Sequence, residues 1–205
     1  MDIILASRNR KKIEELKNII QACGFSGKDA AVNLHTPDEF PQCEEVEEDG
    51  ATFEANAVKK AAYVFKCSGM TAVADDSGLE VDALDGAPGV VSARYAGAVT
   101  DDWANLEKLL KEMKGVPDEK RGARFVCCIA LADRSGIQIF MGHVEGRIGT
   151  EPRGEKGFGY DPVFYPEGHN RTFGEMSDQE KASMSHRGRA LQKLRNYIKE
   201  KGLAL

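Results

Sequence analysis

Apolar and polar positions follow two different periods along this chain, and each change of period predicts a change of element. Ile3-Ile4-Leu5-Ala6 is a short apolar run of the kind a buried central strand carries. A polar turn, residues 7–12, follows it. Ile13, Leu16 and Ile20 then recur at helical spacing, and Gly24 is placed to stop that helix. Residues 26–50 are irregular and acidic, with room for a short strand at 32–35. Thr52 is placed to cap a second helix, whose Val58, Ala61, Ala62 and Phe65 form a stripe at i, i+3, i+4 and i+7. Residues 71–74 predict another buried strand that ends in Asp75-Asp76-Ser77-Gly78 and resumes over 79–84. Residues 85–89 form a turn. A third helix over 101–113 turns Leu106, Leu109, Leu110 and Met113 inward. Residues 124–132 and 137–148 are strands of a hairpin, joined by Asp133-Arg134-Ser135-Gly136. A glycine-rich loop at 154–162 leads to a brief strand at 163–165. A last helix over 185–201 buries Leu191, Leu194 and Ile198. Helices and long strands mixed in this way predict an α/β protein with a mixed sheet.

Composition narrows the possibilities. The 205 residues, 41% hydrophobic and 30% charged, suit one domain over 1–205, of one or two lobes, with a sizeable core. No apolar run approaches the roughly eighteen residues of a membrane helix, so no membrane partner is expected. The charges of the N-terminal stretch follow its apolar run, the wrong order for a secretory signal, which points to the cytoplasm. Cys23, Cys43, Cys67, Cys127 and Cys128 form no C-x-x-C pair, and this odd, scattered set reads as reduced thiols serving as small core residues. A net charge of −5 disfavours a nucleic acid polymer as partner. The local pattern is stronger than the average, because residues 8–12 hold four bases while residues 38–54 hold eight acids and no base.

Five segments could carry chemistry. Ser7-x-Asn9-x-x-Lys12 lies where a strand feeds a helix, so backbone N–H groups, two neutral side chains and one ammonium could meet a polyphosphate; the plainer alternative is a capped helix with exposed bases. Asp75 and Asp76, adjacent at the end of an apolar strand, are costly unless a cation meets them. Magnesium would serve, and one of the pair could take a proton from water; the alternative is a turn bonded to its own backbone. Glu48, in an acidic loop, could add a metal-directed carboxylate. Asn56 and Lys60, four apart, share a helix face distinct from the apolar stripe. Gly157-Phe158-Gly159-Tyr160-Asp161-Pro162 could hold an aromatic ring against a purine, with Asp161 accepting from a base N–H, or could be a tight turn with a core Phe. Lys181, His186 and Arg187 would form a donor-rich wall. His186 and Arg187 there oppose the helix dipole, unless they are simply a solvent-facing basic helix start.

The order of these segments resembles the inosine triphosphate pyrophosphatase family nearly end to end, most specifically at Ala74-Asp75-Asp76-Ser77-Gly78-Leu79 and Gly157-Phe158-Gly159-Tyr160-Asp161-Pro162. Glu48-Asp49-Gly50, Phe53-x-x-Asn56-Ala57, Gly86-Ala87-Pro88-Gly89, Ser92-Ala93-Arg94-Tyr95 and Ser185-His186-Arg187-Gly188 fall between or beyond them in the same order. The resemblance implies an elongated, two-lobed α/β fold with a long central mixed sheet flanked by helices, a cleft between the lobes, and a homodimer. It implies magnesium-assisted attack of water on the α-phosphorus of ITP, dITP or XTP, giving the monophosphate and pyrophosphate. By motif position, Asp76 is the general base and a metal ligand, Glu48 a further ligand and Asp75 a supporting one. Ser7, Asn9, Lys12, Lys60 and Ser77 hold the triphosphate, and Phe158, Gly159, Tyr160, Asp161, Lys181, His186 and Arg187 form the nucleoside pocket. One departure stands out. Lys11 occupies a position where the family often has glycine. Two other readings stay open, a noncatalytic nucleotide-binding module and a related pyrophosphatase of different base preference.

Overall fold

A computed structural model describes residues 2–22, 26–27, 30–31, 33–97 and 101–201. Strand β1 (Asp2–Leu5) is followed by helix α1 (Arg10–Ala22), a two-stranded antiparallel pair of β2 (Ser26–Gly27) and β3 (Ala30–Ala31), and β4 (Asn33–His35). Then come α2 (Phe53–Ser68), β5 (Thr71–Val81), α3 (Asp102–Glu112), β6 (Gly122–Asp133), β7 (Gly136–Ile148), β8 (Phe164–Pro166), α4 (Asp178–Met184) and α5 (His186–Glu200). Six strands form one sheet in the order β4-β1-β5-β6-β7-β8. Its β1 runs parallel to β4 and β5, whereas β7 and β8 are antiparallel, so the sheet is mixed and the fold is α/β.

The chain divides into two compact units. The first holds Met1–Asp76, Cys127–Gly142 and Arg187–Leu205; the second holds Ser77–Val126 and His143–His186. In the first, Ile3, Ile4 and Leu5 are buried, as β1 lies between two parallel neighbours and has no solvent face. Phe53, Ala57, Ala61, Val64, Leu191, Leu194 and Ile198 are buried with them. In the second, Leu79, Val81, Leu106, Leu109, Met113, Phe125, Phe164 and Phe173 belong to one core cluster. No helix among the described residues is long and apolar enough to cross a membrane.

Several expectations change. Asp75-Asp76-Ser77-Gly78 does not end a strand: β5 runs unbroken from Thr71 to Val81, so its period of two points Asp75 and Asp76 to opposite faces. Helix α2 buries Asn56 and Lys60 along with Phe53, Ala57, Ala61 and Val64, while Val58, Ala62 and Phe65 of the expected stripe are only half-buried. Hydrophobic periodicity counts Asn and Lys as outward-facing, but here their polar atoms find partners inside. Helix α4 goes unread in the hydrophobic pattern because it spans two turns, though Ser177 and Glu180 form the capping box that marks its start. Gly24 and Val32 lie outside the described residues, as does the Ile20 side chain. Cys43 and Cys67 are joined in a disulfide with Cα atoms 5.6 Å apart, which corrects the expectation of reduced thiols throughout. Residues 24 apart with no spacing motif were brought together by the fold, which cysteine arithmetic cannot see.

The edge of the sheet carries a titratable clamp. His35 Nδ1 lies 2.8 Å from Glu39 Oε2, and Nε2 lies 3.3 Å from Asp2 Oδ1. Glu39 and then Asp2 raise His35 above its ordinary 6.5. Asn33 and then His35 lower Asp2, while His35 and the Thr36 amide lower Glu39. The histidine's stabilisation is complete below its unfolded value and is lost as pH rises through the raised folded one. That of the carboxylates is present above their unfolded values and fades as pH falls through the lowered ones. The clamp is therefore tightest in mildly acidic solution. His35→Gln is expected to flatten the fall in Tm between about pH 6 and about pH 8; a fall as steep as the wild type's in thermal denaturation would contradict the clamp.

Candidate active site

The loop between β1 and α1 folds by local bonding. The Asn9 amide donates to Ser7 Oγ at 3.3 Å, and Asn9 Oδ1 accepts from the Lys12 amide at 3.2 Å, so Asn9 caps α1. These bonds use the oxygens of Ser7 and Asn9 as acceptors and do not consume the hydroxyl hydrogen or the Asn9 Nδ2 donors. Lys11 is exposed in the first turn, while Lys12 turns back and places its ammonium 3.7 Å from Asp75 Oδ2.

Asp75 and Asp76 divide sharply in environment. Asp75 is buried, and its Oδ2 accepts from Arg187 Nη2 at 3.3 Å and Nε at 3.4 Å in addition to facing Lys12. Burial pushes its carboxyl upward, but Lys12, Arg187 and Lys60 outweigh that and hold it well below the usual carboxylate range. Asp76 faces the other side of β5, where its Oδ2 accepts from Asn56 Nδ2 at 2.9 Å. Burial raises it, Glu48 adds repulsion, and Lys60, Lys12 and Asn56 offset this only in part, leaving it above 3.8. Two adjacent carboxyls are thus pushed in opposite directions, Asp75 downward by the cations around it and Asp76 upward by burial.

Helix α2 lies against the acidic loop and holds it at several points. Gly50 N donates to Asn56 Oδ1 at 2.7 Å, Lys59 Nζ reaches Asp49 Oδ1 at 2.6 Å, and Glu44 N donates to Tyr63 Oη at 3.1 Å. Lys60 Nζ pairs with Glu48 Oε1 and donates to the Asp75 carbonyl at 2.6 Å. Desolvation would lower Lys60, but Asp75, Glu48 and Asp76 overcome it and keep it charged. The acidic run therefore keeps Glu44, Glu45, Glu47 and Asp49 exposed but is anchored to the helix that also carries the partner of Asp76. Among the described residues no three His, Cys, Asp or Glu side chains gather into a metal cage.

Arg187 is the second residue of α5 and belongs to the first unit, with 1% of its surface exposed. Besides Asp75 it pairs with Glu15 on α1. Sequence reading missed Glu15, although its place one helical turn after Lys12 was a usable signal.

The second unit assembles the aromatic residues. Gly157 and Gly159 adopt φ of 73° and 60°, and a Cβ on Gly157 would stand 2.0 Å from Asp161 Oδ2, so only glycine fits there. Asp161 Oδ2 accepts from the Phe158 amide at 2.8 Å and from Lys181 Nζ at 2.7 Å, fixing the loop. The Lys181 ammonium lies 5.0 Å from the centroid of the half-buried Phe158 ring. Tyr160 is different. It is buried in the core cluster and donates to the Ser92 carbonyl at 2.8 Å. The His186 ring stacks on Phe125 with centroids 4.8 Å apart and planes 11° apart. Phe125 was not singled out in the sequence because it sits inside an apolar strand run. Ser77 is half-buried on β5.

The residues named from sequence thus fall into two sets. Ser7, Asn9, Lys12, Glu48, Lys60, Asp75, Asp76 and Arg187 lie in the first unit; Ser77, Phe158, Gly159, Tyr160, Asp161, Lys181 and His186 lie in the second. The first set is a charge network of acids and cations, the second a group of aromatic residues with the buried Lys181–Asp161 ion pair.

The chain is similar to known proteins over nearly its whole length. The family model described as the Ham1 family matches residues 3–197. A dITP/XTP pyrophosphatase of Desulforamulus reducens is 50% identical over 94% of this chain and 93% of its own. One from Bacillus subtilis is 46% identical, with 94% of each chain covered. The structure of a HAM1 protein from Coxiella burnetii superposes with a TM-score of 0.86 at 40% identity, covering 98% of this chain and 99% of that one. The chain belongs to the Ham1 family.

Proposed function

We propose that this chain hydrolyses non-standard purine nucleoside triphosphates (dITP, XTP and ITP) to the monophosphate and pyrophosphate, by water attack on the α-phosphorus. The observation that carries the reading is the split between Asp75 and Asp76. Asp75 is held as an anion by Lys12 and Arg187, whereas Asp76, on the other face of β5 and bonded to Asn56, is the carboxyl assigned to take a proton from the attacking water. Relatives named dITP/XTP pyrophosphatase support the substrate class.

The donor set suits magnesium, which is held through one or two carboxylates and completed by substrate phosphates and water instead of a full protein cage. Glu48 and Asp76 would hold it, with Asp75 as a supporting charge. Bound there, magnesium would neutralise phosphate oxygens. Ser7, Asn9, Lys12, Lys60 and Ser77 take the triphosphate. Phe158 and Gly159 receive the base, with Tyr160 and Asp161 fixing that loop. Lys181, His186 and Arg187 would be the donors that meet a 6-keto oxygen, an acceptor that adenine's 6-amino group does not offer. Action on the free nucleotide pool of the cytoplasm, as a homodimer, completes the reading.

Stacking on an aromatic ring is worth about 1–3 kcal/mol per base, so Phe158→Ala is expected to raise KM for ITP about 5- to 150-fold with kcat little changed. An unmoved KM in steady-state assays would remove Phe158 from the pocket. The proposal as a whole is tested by a nucleotide panel with magnesium in which monophosphate, pyrophosphate and orthophosphate are measured separately. The expected order places ITP, dITP and XTP far above ATP, with pyrophosphate as co-product. Preferred turnover of dTTP or UTP would overturn the base assignment, and binding without turnover would make the chain a nucleotide-binding module.

A further inference from the structure

We propose that the Cys43–Cys67 disulfide is a redox clasp on the loop that carries Glu48, so that thiol–disulfide exchange tunes how firmly this carboxylate is presented. The second half of the inference rests on the reading of Glu48 as a metal ligand.

Residues 43–50 run antiparallel to α2, and their contacts pair off in reverse order: Cys43 with Cys67, Glu44 with Tyr63, Glu48 with Lys60, and Gly50 with Asn56. The disulfide is the outermost rung and the one covalent one. The remaining rungs are a backbone amide on a phenol, ion pairs and an amide on an Asn oxygen, each worth little next to the entropy of an open loop. Closing 24 residues with a covalent bond removes much of that entropy. The Arg8 guanidinium also donates to the Cys43 carbonyl at 2.9 Å, so this end of the loop is tied to the turn that carries Ser7 and Asn9.

The bond is placed for exchange. Cys43 is buried with 1% exposed, whereas Cys67 is half-buried near the end of α2. A small or protein dithiol of the thioredoxin type would direct a thiolate at Cys67 Sγ, breaking the S–S bond and expelling the Cys43 thiolate, which takes up a proton. The reductant's second thiolate then attacks the mixed disulfide and releases Cys67, which is protonated in turn. Two electrons pass to the protein and the dithiol leaves as its own disulfide. Return runs through a disulfide oxidant of the glutathione disulfide class, with the electrons reversed. Because the non-covalent rungs survive reduction, the response is graded: the loop loosens without detaching.

The test uses the full chain, oxidised and after dithiothreitol, with the state of both thiols read by alkylation and mass spectrometry. In metal-free protein, amide hydrogen exchange over residues 44–50 is expected to speed up about tenfold on reduction while α3 is unchanged. In turnover, the magnesium concentration for half-maximal activity is expected to rise severalfold. Cys67→Ser, and Cys43→Ala with Cys67→Ala, should behave as reduced protein with or without reductant. Unchanged exchange on reduction, or free Cys43 and Cys67 thiols in the oxidised protein, would overturn the clasp. Faster exchange with an unmoved magnesium requirement would leave the clasp standing and remove Glu48 from the metal's ligands. Absence of turnover in both states would refute the proposed function, while the exchange data would still decide the clasp.

Discussion

Asp76→Asn is expected to lower kcat for ITP by about three orders of magnitude, the scale of a lost general base, with nucleotide binding retained. The side chain keeps its shape, and an amide oxygen can still accept from Asn56 Nδ2 at the 2.9 Å site, so the fold should tolerate the change. What it loses is the carboxyl that can gain and lose a proton. Since burial raises Asp76 above 3.8, the acid limb of the wild-type rate profile should also lie above the ordinary aspartate range, with activity falling as pH drops through it. The checks are single-turnover kinetics beside equilibrium binding of ITP. A kcat within a few-fold of wild type would transfer the base role elsewhere.

Arg187→Ala should produce the largest loss of stability, about 3–5 kcal/mol, because it takes a buried cation from between two carboxylates. Asp75 is buried, and Arg187 supplies two of its hydrogen bonds as well as the partner of Glu15 on α1. Lys12 at 3.7 Å would remain as a weaker partner for Asp75, and Glu15 would lose the one on α5. Urea denaturation reads this directly. Arg187→Lys should recover part of the loss through its charge, though it lacks the planar fork. Molecules that stay folded should also discriminate less between ITP and ATP. A variant as stable as wild type would show that the ion pair contributes nothing to the fold.

Much of this was legible in the amino-acid order. The apolar run of β1, the Thr52 cap, the inward Leu191, Leu194 and Ile198, and the long hairpin strands are local signals with local causes, and they hold in the structure. The segments carrying charged and aromatic candidates could likewise be picked out, since a strand–turn–helix step and glycines flanking an aromatic have direct physical meaning. What stayed hidden depends on tertiary partners. Nothing in the sequence around Asn56 and Lys60 says that a polar face will be buried; that follows only once Asp76, Glu48 and the Asp75 carbonyl stand opposite. In the same way, adjacent Asp75 and Asp76 look interchangeable until β5 continues through them and sends one toward Lys12 and Arg187 and the other toward Asn56. The Cys43–Cys67 bond and the Glu15–Arg187 pair are long-range for the same reason.

The central claim is that water, deprotonated at Asp76, attacks the α-phosphorus. Turnover of ITP in water enriched in oxygen-18, followed by mass spectrometry of the products, tests it without any substitution. The account predicts one labelled oxygen in inosine monophosphate and none in pyrophosphate. Label in pyrophosphate, or release of orthophosphate carrying it, would place the attack on another phosphorus and contradict the account.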